Sequence, residues 1–94
     1  MATFYLFGKY TQPSITQVSA QRTKKAVAAI EKLNGKVKSM DALLGEKDLV
    51  FVVEFPSSKE ALKASVALAK ATGIAFSTAE AVSISEFDKL AAEA

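Results

Sequence analysis

The sequence predicts an α+β domain with elements in the order strand–helix–strand–strand–helix–strand, followed by a short helical tail. Three observations lead to this order. Residues Thr3 to Tyr10 and Asp48 to Phe55 are strand-length runs rich in Phe, Tyr and Val. Two other stretches, around Ala26-Val27-Ile30-Leu33 and Leu62-Val66-Leu68-Ala69, repeat their apolar residues at helical spacing. Breaking residues fall between these stretches, at Pro13, Asn34-Gly35, Gly45, Pro56 and Gly73.

The first strand, Thr3 to Tyr10, sends Phe4, Leu6, Gly8 and Tyr10 to one face and Thr3, Tyr5, Phe7 and Lys9 to the other. Both faces therefore carry aromatic rings. Thr11-Gln12-Pro13-Ser14 is a turn, and the first helix begins between Ser14 and Gln21. Its polar side carries Arg22, Lys24, Lys25, Glu31 and Lys32, and Gly35 is suited to a left-handed C-terminal cap. Lys36 to Leu44 forms the second strand. The turn Gly45-Glu46-Lys47 leads into the third strand, Asp48 to Phe55, which Pro56 ends. Ser57 and Glu60 have capping-box spacing, so the second helix starts there, runs to about Thr72 and is capped by Gly73. Ile74 to Ile84 is the fourth strand. Ser85 and Asp88 open a short final helix through Phe87 and Leu90.

This order is the ferredoxin-like βαββαβ unit, residues 1–94 forming a single domain. Right-handed crossovers place two helices on one face of a four-stranded antiparallel sheet and leave the other face open. The third strand, Leu49-Val50-Phe51-Val52-Val53-Glu54-Phe55, has almost no position made for water. A helix layer on one face cannot cover both sides of it. A second copy of the chain is the expected cover, so the partner expected is the protein itself, as a homodimer or higher homo-oligomer.

Bulk composition narrows the function. Half of the 94 residues are hydrophobic, which excludes disorder. No apolar run approaches the roughly 20 residues needed to span a bilayer, and Met1-Ala2-Thr3-Phe4 lacks the features of a signal peptide. A cytoplasmic setting is expected. The chain has no Cys and no His, which removes thiol nucleophiles, the Ser-His-acid triad and the commonest metal ligand. There is no glycine-rich phosphate loop, and Asp41, Glu46, Asp48 and Glu54 lack ligand-loop spacing, so neither cofactor nor metal is expected. Net charge is +2, divided as +5 over residues 1–47 and −3 over residues 48–94. A sum this small does not point to nucleic acid.

The order and spacing of several short motifs resemble the GYD-domain family, within the dimeric α/β-barrel proteins. They are Gly8-Lys9-Tyr10-Thr11 after the first strand, Ile15, Gly45-Glu46-Lys47-Asp48-Leu49-Val50 before the third strand, and Phe87-Asp88-Lys89-Leu90 near the end. The resemblance spans essentially the whole chain. It departs at Lys47, where the tyrosine of the family's name is expected, and at Ser14, where glycine is common. The resemblance implies fold and self-association rather than a reaction.

Candidate site residues follow from the apolar strands and their few polar positions. Tyr5, Phe7, Lys9, Asp48 and Phe51 are candidates for holding a small apolar or aromatic ligand between paired sheets. Asp48 is either a proton acceptor or an anchor for backbone N–H groups in the turn. Glu54 is either a buried acid, paired with Lys9 or a partner-chain Lys, or an exposed strand end. Three functions compete. The first is a non-enzymatic homo-oligomer that binds a ligand between its sheets. The second is a cofactor-independent oxygenase or isomerase using Asp48, Glu54, Tyr5 or Tyr10. The third, ranked last, binds nucleic acid through Arg22, Lys24, Lys25, Lys32, Lys36 and Lys38.

Overall fold

The computed structural model describes all residues, Met1–Ala94. Its elements are β1 (Ala2–Lys9), α1 (Gln12–Ile15), α2 (Ala20–Lys32), β2 (Lys36–Ala42), β3 (Leu49–Phe55), α3 (Ser58–Thr72), β4 (Ala75–Ala81) and α4 (Ile84–Glu93). The sheet order is β2-β3-β1-β4, and each neighbouring pair is antiparallel. This is the ferredoxin-like arrangement, with β1 and β3 at the centre. Ala2 pairs with Phe55 and Gly8 with Leu49, so the two most apolar strands run side by side over their whole length.

α2 and α3 cover one face. Phe4 and Leu6 of β1 and Phe51, Val53 and Phe55 of β3 are buried there against Ala26, Ile30, Ala61, Ala64 and Leu68. Alanine at three of these helix positions lets the helices approach the sheet closely. Phe55, Leu6, Ile30, Leu68 and Val53 are each less than 2 % exposed. Each such side chain contributes about 1.5–3 kcal/mol by leaving water. A typical hydrogen bond contributes about 1 kcal/mol net, so each of these side chains outweighs a single hydrogen bond.

The local signals place most helix ends. Ser57 caps α3, its hydroxyl accepting from the Lys59 N–H, and Gly73 ends the helix at φ 73°. The Ser57 hydroxyl also donates to the Glu60 carboxylate. The structure corrects the sequence reading at three ends. A separate helical turn, α1, precedes α2. Thr11 and Ser14 cap each other reciprocally around Pro13, and Ser19 then caps α2 afresh. The left-handed residue after α2 is Asn34 (φ 63°), not Gly35. The N–H groups of Asn34 and Gly35 donate to the carbonyls of Glu31 and Ile30, the pattern of a Schellman cap. Gly35 is needed for space instead, since a Cβ there would lie 2.4 Å from the Phe55 ring and 2.7 Å from Ile30. At the C-terminus, β4 stops at Ala81 and Ser83 caps α4 through the Glu86 N–H. The Ser-x-x-acid pattern occurs in two registers, Ser83…Glu86 and Ser85…Asp88, and the chain uses the earlier one.

Two outcomes test this packing. Gly35→Ala should destabilise the protein by about 2 kcal/mol, because the buried Phe55 ring has no room to yield; urea denaturation measures it. Glu60 titrates below the ordinary value of 4.5, first through the Ser57 hydroxyl, then through its own backbone N–H, with Lys63 and Lys59 adding attraction. In Ser57→Ala an NMR titration should find the Glu60 pKa moved up toward that ordinary value.

Candidate functional site

The strand pairing assigns every residue of the uncovered face. Tyr5 of β1 lies opposite Val52 of β3, and Phe7 opposite Val50. The β4 neighbours on the same face are Ala79 beside Tyr5 and Ser77 beside Phe7. Tyr5 and Phe7 stack with ring centroids 6.3 Å apart. Tyr5 is 37 % exposed, although it sits at the middle of a central strand. No element of the chain crosses this face. Charged residues of both signs surround the apolar centre: Lys9 at one end of β1, Glu54 near the opposite end of β3, and Lys36 and Asp41 on β2, the latter two opposite Glu54 and Val50.

Asp48 closes the hairpin end. Its carboxylate oxygen accepts the Tyr10 N–H at 2.8 Å. Its own N–H donates to the Gly8 carbonyl at 2.9 Å, and its carbonyl accepts from the Leu43 N–H at 2.8 Å. One residue thus ties the β2–β3 connection to the end of β1. Lys9 adds a bond from Nζ to the Glu46 carbonyl at 3.0 Å. Gly45 gives the connection its turn at φ 142°, where a side chain would be strained.

The candidate residues do not form one cluster. Tyr5, Phe7 and Lys9 share the open face. Phe51 is 6 % exposed and lies on the other face, beneath the helices. Tyr10, just past β1, also turns toward the helix side, where the Arg22 guanidinium sits 5.7 Å from its ring centre. Lys9 cannot pair with Glu54 in the same chain, because they occupy opposite ends of the sheet, roughly 20 Å apart at strand rise. Lys36 is the residue directly across from Glu54. For the same reason, Asp48 and Glu54 cannot act on one small substrate within one chain. No group of three or more Asp or Glu residues is arranged to hold a metal ion.

Arg22 is the residue whose placement the sequence concealed. By sequence alone it is one more charge on the polar side of a helix, beside Lys24 and Lys25. The start of α2 at Ala20 puts it in the first turn, half-buried, with Nη1 donating to the Ser14 carbonyl at 2.6 Å. Only the Ser19 cap could have signalled this, because it sets which face Arg22 takes. Lys24, Lys25 and Lys32 on α2, and Lys36 and Lys38 on β2, are exposed.

Residues 4–91 match the family model described as the GYD domain. The chain belongs to the GYD-domain family. The fold also resembles the crystal structure of the Mycobacterium tuberculosis leucine response regulatory protein LrpA, with a TM-score of 0.58 and 12 % sequence identity. That alignment covers 87 % of this chain and 51 % of LrpA, so this GYD domain spans about half the length of that protein. At this identity the likeness concerns the fold alone. No curated protein matches the sequence. No helix of the GYD domain is long and apolar enough to cross a membrane.

The role of Asp48 in this GYD domain is open to a direct check. Asp48→Ala should lower stability by about 1–3 kcal/mol, since it leaves the partly buried Tyr10 N–H without its charged acceptor. Glu46→Ala should be nearly neutral, because Lys9 bonds the main chain at that position and not the side chain. Paired urea melts separate the two.

Proposed function

We propose that this GYD domain is a homo-oligomeric protein whose copies pair sheet to sheet through the open face. The observation that carries the proposal is the apolar block of Tyr5, Phe7, Val50 and Val52, which faces no other part of the chain. Contiguous apolar surface at the centre of a sheet, rimmed by charge, is the usual mark of an interface. The rim supports a second copy as the occupant. It carries Lys9 and Lys36 together with Asp41 and Glu54, so the surface can complement itself across a two-fold axis. α4 points the same way. None of its residues is buried, and Ile84, Phe87 and Leu90 are 74, 54 and 50 % exposed. In an assembly of copies that stripe gains cover that one chain does not provide. The same stacked rings would form one wall for a small apolar or aromatic ligand held between the sheets. A cytoplasmic setting belongs to this proposal.

Light scattering after size exclusion tests the pairing. The wild-type protein should run as a dimer or a multiple of it at micromolar concentration. Val52→Lys should give monomers with an unchanged circular dichroism spectrum, because a buried unpaired ammonium at the centre of the interface is costly. A wild-type protein that is monomeric under these conditions would overturn the proposal.

A further inference from the structure

The helix-covered side of the sheet contains a second feature. A cavity of about 200 Å³ opens between the first turns of α2 and the ends of β1, β2 and β3. Its buried wall is formed by Phe51 and Ile74, 6 and 4 % exposed, with the half-buried Met40, Leu49 and Phe76 alongside. Phe51 and Phe76 meet there with ring centroids 5.5 Å apart. The more open side carries the polar residues Ser19, Arg22 and Thr23. All of these residues come from one chain, so the cavity exists whether or not the sheets pair.

We infer that this cavity binds a small monocarboxylate with an aromatic or compact apolar body, its carboxylate held by Arg22. Volume sets the size. A dry apolar cavity of about 150 Å³ takes up benzene, so 200 Å³ holds one ring and a short acid arm. The walls set the body, since nine of the fourteen lining residues are hydrophobic. Arg22 sets the anionic group. The Ser14 carbonyl and the Tyr10 ring hold the guanidinium in place, and its remaining N–H donors suit the two oxygens of a carboxylate. Ser19 and Thr23 also line the cavity; the Ser19 hydroxyl accepts from the Arg22 backbone N–H, and the Thr23 hydroxyl donates to the Ser19 carbonyl. Preorganisation of Arg22 lowers the cost of ordering it on binding.

The test is a two-dimensional amide NMR titration of the full chain with phenylacetate and, separately, with phenylacetamide. Phenylacetate should shift the Ala26, Met40 and Phe76 amides with low-millimolar affinity, the range for a ligand of about ten non-hydrogen atoms. Phenylacetamide should bind about tenfold more weakly, because it lacks the charge that Arg22 recognises. Arg22→Gln should reduce phenylacetate affinity about tenfold and leave phenylacetamide affinity nearly unchanged. Arg22→Lys should retain part of the preference for the acid. The Val52→Lys variant should bind phenylacetate as the wild type does, which separates this site from sheet pairing. Equal affinity for the two probes, or no shifts at the cavity amides in a protein that gives a folded spectrum, would overturn the inference.

Discussion

The structure depends on β1 and β3 lying against each other at the centre of the sheet with apolar side chains on both faces. Their pairing runs from Ala2 with Phe55 to Gly8 with Leu49. One face places Phe4, Leu6, Phe51, Val53 and Phe55 under two helices and forms the core. The other places Tyr5, Phe7, Val50 and Val52 in a single block. A strand that is apolar on both faces needs cover on both sides. The chain supplies one helix layer, and this imbalance is the physical source of the proposed self-association.

Asp48 keeps that central pair in register. A slip of one residue between β1 and β3 would exchange the core and open faces of a strand. Three hydrogen bonds at this residue, accepted from the Tyr10 and Leu43 N–H groups and donated to the Gly8 carbonyl, lock the hairpin connection to the end of β1. The Ser14–Arg22 bond then ties the start of α2 to the same end of the domain. The cavity and the contacts of Asp48 and Arg22 are thus gathered where these connections meet, while Phe55 packs at the opposite end.

The fold class and the capping of α3 by Ser57 and Gly73 were legible in the sequence, because apolar period and cap residues are local signals. The positions that went unread were settled by contacts distant in the chain. Gly35 looked like a left-handed cap, and its real constraint is the Phe55 ring twenty residues away. Arg22 looked like a solvated charge, and its setting depends on Ser14 and Tyr10. Phe51 was grouped with Tyr5 and Phe7 by residue type, but strand parity in the observed register puts it on the opposite face. Composition identified the aromatic residues, whereas the pairing decided which of them face one another.

The sequence by itself determined the order of elements, the family and the presence of two apolar faces on the central strands. These follow from residue periodicity and from the spacing of breakers and caps, both carried along the chain. Only the tertiary structure decided that Lys9 lies at the far end of the sheet from Glu54, that Asp48 is a backbone anchor, and that Arg22, Tyr10 and Phe51 line one cavity. Those facts depend on strand register and on the angle at which α2 crosses the sheet. Both are set by packing of the whole core, which no local run of residues encodes.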